Sequence, residues 1–299
     1  MPTGPGHAYG PSVFLLLLAA AVVWGAGAGL LIPRIAYRLC VEPEEPWRSA
    51  CPDGHPITGP LGGWLGRARC AVGETGGSGV TGERVAGGTG VPERAAPDTS
   101  GTTDARGAAG DTGAPARCRY GPRTTTVVLV TVFVCAALAA ATGVRPEAVV
   151  WLLAAPVGVL LAVVDHRVHR LPDPLTLPLA AGLVVLLGIA ALLPGHAGSW
   201  PTALFGLVVL GAICFVLFLA GGLVAGGEGF GFGDVKLALA LGAALGWYGW
   251  TALFFGFFAG LVPVGCYGIV LLLLRRKGFV ALGPYLLGGA FLGVLFGAL

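Results

Sequence analysis

Runs of about 20 apolar residues, enough for an α-helix to cross ~30 Å of hydrocarbon, recur along most of this chain. They lie near residues 12–32, 125–143, 147–164, 175–194, 202–225, 234–247, 250–274 and 279–298. In a bilayer every backbone polar group must be paired within the protein, so only helices and closed barrels can span it. Long apolar runs without strict alternation read as helices. The expected fold is therefore all-α and polytopic, with about eight transmembrane helices. Composition agrees, because 55% of residues are hydrophobic, 11% are charged and the mean hydropathy is +0.82. Soluble domains carry roughly 25% charged residues. The first run has neither a preceding basic stretch nor a small-residue cleavage site, so it is expected to be an anchor rather than a signal peptide.

Charge then divides the chain. A first transmembrane helix (12–32) is followed by a hydrophilic loop (33–124) and a membrane domain (125–298). With the N-terminus outside, the segments 33–124, 165–174, 226–236 and 275–278 are cytoplasmic. They then hold every Lys and Arg except Arg145, as retention of basic loops in the cytoplasm requires. Trp200, Trp247, Tyr248 and Trp250 fall at the outer helix ends, where amphipathic rings favour the interface. The net charge of +3 thus reports topology, and no nucleic-acid partner is expected.

The loop has two textures. Residues 33–70 carry Leu61, Trp47 and Trp64, enough for a small folded or membrane-associated unit. Residues 71–117 are rich in Gly, Ala, Thr and Pro and bury too little to offset ordering entropy, which predicts a disordered insertion. Four of the seven cysteines lie in this loop, namely Cys40, Cys51, Cys70 and Cys118. A structural zinc site takes four Cys or His ligands, commonly in close pairs. No C-x-x-C pair exists here, so Cys51, His55, Cys70 and Cys118 are weak metal candidates. Reduced, uncoordinated thiols are expected, and zinc is not. Cys135, Cys214 and Cys266 fall within helices and read as packing residues.

Beyond residue 124 the acids are Glu147, Asp165, Asp173, Glu228 and Asp234. Glu147, in the outer turn Arg145-Pro146-Glu147, reads as a solvated surface charge. Asp165 closes an apolar run at the cytoplasmic boundary. Asp234 occupies the matching place in Gly229-Phe230-Gly231-Phe232-Gly233-Asp234-Val235-Lys236-Leu237. Only about 15 Å of apolar helix follows it, from Leu237 to Gly246. A glycine turn drawn below the surface implies a wet cavity. Two carboxylates facing such a cavity cannot both ionise cheaply. The charged one can then activate water while the protonated one donates to a peptide carbonyl. Gly231 and Gly233 would let an extended substrate backbone come close. An ion or proton path, or an Asp234–Lys236 ion pair, fits the same residues, and physics alone leaves these readings open.

A resemblance tips the balance. The run Val164-Asp165-His166-Arg167-Val168-His169-Arg170-Leu171-Pro172-Asp173-Pro174-Leu175-Thr176 resembles the first signature of the type IV prepilin peptidases. Gly231-Phe232-Gly233-Asp234-Val235-Lys236-Leu237 is similar to their Gly-x-Gly-Asp-x-Lys-Leu. Ala281-Leu282-Gly283-Pro284-Tyr285-Leu286 is similar to the motif of their last helix. The resemblance implies an eight-helix membrane aspartic endopeptidase that cuts the basic leader from pilin-like precursors at the cytoplasmic face of the bacterial plasma membrane.

Carried over by position, Asp165 and Asp234 are the catalytic pair. Gly231, Gly233, Lys236, Pro172, Thr176, Gly283 and Pro284 support the motifs or the substrate. Asp173 falls where the family has Asp or Asn, which implies a helix-start role, and His166, Arg167, His169 and Arg170 read as a cytoplasmic anchor. The N-terminal part departs from the pattern, since Leu30 and Pro33 replace the family's Ser and Asn. Cys51 and Cys118 each keep only the first cysteine of a zinc-binding C-x-x-C pair. The peptidase is expected to need no cofactor, and S-adenosylmethionine only if the family's N-methyl transfer is retained. The expected partners are pilin-like precursors and membrane lipid. The alternative is a non-proteolytic protein, either a proton-coupled carrier or an inactive assembly scaffold. Nothing in the sequence sets the oligomeric state.

Overall fold

A computed structural model of the chain describes residues 10–41, 45–69, 120–225, 231–274 and 281–299. The described residues form α1 (Pro11–Leu39), a short turn α2 (Pro60–Gly63), α3 (Thr124–Thr142), α4 (Glu147–Val168), α5 (Asp173–Ala191), α6 (Trp200–Ala225), α7 (Phe232–Gly246), α8 (Trp250–Leu273) and α9 (Gly283–Ala298). Among them there is no β-strand, only an isolated bridge between Ala50 and Pro56. Residues up to Ala68 and from Tyr120 onward make one unit, and Arg69–Arg119 another. The stretch 71–117, together with Cys70, Cys118 and Glu228, lies outside the described residues.

The chain is a multi-pass, all-α membrane protein. Six helices, α1, α3, α4, α5, α6 and α8, are long and apolar enough to cross a membrane, and α9 is a shorter apolar one. Each expected apolar run has its helix, with ends shifted by a few residues. The largest shift is in α1, which passes through Pro33 to Leu39 instead of stopping near residue 32. A helix-interior proline forfeits one backbone bond, and here tertiary contacts hold the turn beyond it. Arg34 donates to the carbonyls of Gly63 and Thr58, at 2.8 and 2.5 Å. Arg38 donates to those of Arg48 and Gly62, at 3.0 and 2.8 Å. These two buried guanidinium groups tie residues 48–63 to the end of α1, while Arg38 also lies 4.0 Å over the Trp64 ring. The expected small unit in 33–70 is thus organised by α1, with Trp47 edge-on to Trp64 and Leu61 left exposed.

The helices approach one another through small residues, which dispersion-driven packing in lipid favours. On α1, Gly25 and Gly29 face the α3 backbone at Val132 and Val128. Between α6 and α7 a Cβ on Gly242 would stand 2.8 Å from Leu207 Cα, and one on Gly246 would stand 2.6 Å from the Thr202 carbonyl oxygen. α7 packs against α5, α6, α8 and α9, and Leu237, Ala240, Ala243 and Leu245 are fully enclosed. It is about 22 Å long at 1.5 Å per residue, short of a full crossing. Neighbouring helices rather than lipid cover it.

Two expectations at the opposite end of the bundle are corrected. Glu147 is not a solvated charge. It is fully buried, and its Oε1 accepts a 3.0 Å bond from the Ala197 N–H, fastening the α5–α6 connection to the start of α4. Trp247 is not an interfacial ring either. It is 1% exposed and packs over Gly198, whereas Trp200 and Trp250 stay exposed. Cys135 and Cys214 are buried as packing residues, but Cys266 is exposed.

Candidate active site

Two helix ends build the site. α4 continues four residues beyond its expected apolar limit at Val164, so Asp165 lies in its last turn rather than after it. The helix stops at His169, which adopts the left-handed conformation (φ 50°) and returns its N–H to the Asp165 carbonyl at 2.8 Å. Such a left-handed residue commonly closes a helix. Asp165 is 4% exposed. A buried carboxylate needs donors, and Oδ2 accepts the Gly283 N–H from the start of α9 at 3.0 Å.

α7 begins at Phe232, which makes Asp234 the third helical residue. Its Oδ2 accepts the Gly231 N–H at 3.3 Å. An acid at this position reaches back to an unpaired first-turn donor and meets the positive end of the helix dipole.

Asp165 and Asp234 line one cavity of about 380 Å³, together with Asp173, Lys236, His169 and Arg170. Residues that are 69 apart in sequence are thus brought to one space. The motif residues then sort by contact. Pro172 precedes α5 and accepts the Thr176 side chain at 3.5 Å, and Thr176 is fully buried. Gly233 faces Leu171 of the α4–α5 connection, where a Cβ would stand 3.2 Å from Leu171 Cβ. The neighbour of Gly233 is therefore the protein itself. On Gly283 a Cβ would stand 2.7 Å from Asp165 Oδ2, so this glycine both donates to the carboxylate and makes room for it. Pro284 follows at the first turn of α9.

Lys236 does not pair with Asp234. Its Nζ lies 2.6 Å from Asp173 Oδ2 and 4.8 Å from the Phe232 ring centroid. Sequence reasoning assigned Asp173 only to the start of α5. The missed signal was a lysine on the turn that carries Asp234, which needed a counter-ion.

This geometry has a counterpart in known proteins. A model of the type IV leader peptidase family matches residues 149–274. That segment of the chain is similar to the type IV leader peptidase family. It holds both aspartates of the cavity. A protein named prepilin leader peptidase/N-methyltransferase from Aeromonas hydrophila is 35% identical over 150 residues, 49% of this chain and 47% of that protein. One of the same name from Escherichia coli (strain K12) is 35% identical over 137 residues, 45% of this chain and 57% of that one. One from Pseudomonas putida is 33% identical over 144 residues, 46% of each. The chain spans about half the length of the curated relatives it matches. No solved structure matches significantly. The matched segment ends before Gly283, so the contact with Asp165 brings the last helix to the aspartate pair from outside it.

Zinc, for which the loop keeps only weak candidate ligands, finds a partial set. Ligand atoms of Cys51, Asp53 and His55 lie within 4.8 Å of one another, with Cys51 Sγ 3.5 Å from His55 Nδ1. A closed structural site takes four ligands, and the described residues bring together three. They do not complete such a site.

Proposed function

We propose that the protein is a membrane-embedded aspartic endopeptidase that removes the basic leader from type IV pilin-like precursors. The observation that carries this reading is the cavity shared by Asp165 and Asp234. Each carboxylate there holds one backbone N–H through a single oxygen.

The chemistry follows from two acids in different protonation states. The ionised carboxylate takes a proton from water, whose oxygen bonds to the scissile carbonyl carbon. The protonated carboxyl gives its proton to the carbonyl oxygen. Collapse of the tetrahedral intermediate breaks the C–N bond, and a proton passes to the leaving amine. No cofactor or metal enters this reaction. The N-methyl transfer in the relatives' names would be a separate step, drawing on S-adenosylmethionine.

The site is assigned to the cytoplasmic face of a bacterial plasma membrane, with the N-terminus outside. Arg167, Arg170 and Lys236 flank the two aspartates, and basic residues at helix ends are retained inside. Within this assignment Asp165 and Asp234 are catalytic, and Gly231 and Gly283 orient them.

The test is mass spectrometry of a co-expressed precursor with a basic leader, a glycine and a following apolar helix. Its N-terminus is expected to be trimmed by the wild-type protein and left intact by Asp165→Asn and by Asp234→Asn. Cleavage that persists in both variants would sink the reading, and a non-proteolytic carrier or scaffold would take its place. The same spectrum reports methylation of the new N-terminus.

A further inference from the structure

Lys236 places a positive charge in the cavity that holds the two aspartates, two residues beyond Asp234 on the same helix. An ammonium so placed has three carboxylates to choose from, Asp165 on α4, Asp234 on α7 and Asp173 at the first position of α5. It is engaged by Asp173, at 2.6 Å. The Phe232 ring, one turn back along α7, gives it a second favourable contact at 4.8 Å. The ammonium is thus held between α5 and the first turn of α7.

We propose that Asp173 is a positioning residue, the counter-ion that keeps the Lys236 ammonium away from the Asp165–Asp234 pair. The proposal rests on the peptidase reading, because only a pair that must share a proton is harmed by a nearby cation. An ammonium beside two carboxylates favours ionisation of both, which removes the acid that protonates the scissile carbonyl. Both partners of the ion pair line the cavity. The pair closes a loop from Asp165 through the α4–α5 connection to Asp173, then across to Lys236 and back along α7 to Asp234. His169 and Arg170 line the same cavity, and His166 follows Asp165 in the last turn of α4. They are unchanged in every variant below, so differences between variants report on Lys236.

The experiment has two readouts on the full-length protein. In precursor cleavage, Asp173→Ala is expected to lower kcat about tenfold or more with little change in KM, the mark of an effect on the chemical step. Asp173→Glu keeps a carboxylate and is expected to stay within about threefold of wild type. Removing the lysine as well, in Asp173→Ala with Lys236→Met, is expected to return kcat to about that of Lys236→Met alone, the non-additivity of coupled residues. A purely structural role for Asp173 at the start of α5 would leave the double variant no better than Asp173→Ala, and that result overturns the proposal.

The second readout does not depend on turnover. Dicyclohexylcarbodiimide modifies protonated carboxyl groups, and peptide mass spectrometry locates the adducts. Wild type is expected to be labelled on Asp165 or Asp234, Asp173→Ala to lose that label, and the double variant to regain it. Equal labelling in wild type and Asp173→Ala, or none on either aspartate in wild type, overturns the proposal. If the wild-type protein cleaves no precursor, the peptidase reading fails and the labelling still decides the fate of the counter-ion.

Discussion

At Gly283 the absence of a side chain leaves room for the Asp165 carboxylate. A Cβ there would stand 2.7 Å from Asp165 Oδ2, closer than such atoms sit, and the carboxylate would have to yield. Displacing a reacting group by about 1 Å can cost on the order of a hundredfold. Gly283→Ala is therefore expected to lower kcat for precursor cleavage by about 10- to 100-fold while KM changes little, as steady-state kinetics would show. Glu147 makes the opposite kind of prediction, one about stability. Its Oε1 is the partner of the Ala197 N–H, so Glu147→Ala strands a part-buried donor and should cost about 1–3 kcal/mol. A lowered thermal midpoint of the detergent-solubilised protein would show the loss, and an unchanged midpoint would refute it. Neither role is written in the local sequence. Glu147 follows Arg145 and Pro146 and reads as a turn residue until α6 and its connection fold over it.

Among the elements, α7 carries the most consequence. Its brevity suggested a helix starting below the surface, and its surroundings give the physical account, since packing on several sides spares a short helix from spanning lipid alone. That arrangement requires backbone-to-backbone contact with α6 at Gly242, where a Cβ would meet the Gly206 carbonyl and Leu207 Cα. Gly242→Val is expected to separate the two helices, cost about 1–3 kcal/mol as an overpacked interior does, and shift Asp234 with α7. Both a lower thermal midpoint and reduced cleavage would follow. Valine at Gly222, which meets no neighbouring heavy atom within 4 Å, is the control and is expected to leave the midpoint unchanged.

Across the whole molecule, the proposed orientation puts the two ends of the bundle in different compartments. A periplasm-dependent alkaline phosphatase reporter inserted in the connection at 192–199 is expected to be active. The same reporter at 169–172, beside the aspartates, is expected to be silent. The reverse pattern would invert the topology and move the site to the outer face. The apolar runs made the number, order and approximate span of these helices readable, because crossing hydrocarbon requires local, contiguous sequence. Helix ends were less readable. α1 runs through Pro33 because Arg34 and Arg38 find carbonyl partners 10 to 29 residues away, and no local rule foresees that.

The sequence by itself determined an all-helical membrane chain, its resemblance to the leader peptidases, and Asp165 and Asp234 as a candidate pair. Hydrophobic length and short motifs are local properties that survive without coordinates. Tertiary structure alone decided who meets whom. It gave Asp165 a donor from the last helix, turned Lys236 to Asp173 instead of Asp234, and buried Glu147 and Trp247 at the far end. Charge and hydrogen-bond partners are chosen by proximity in space, and proximity between helices is set by packing that no single segment encodes.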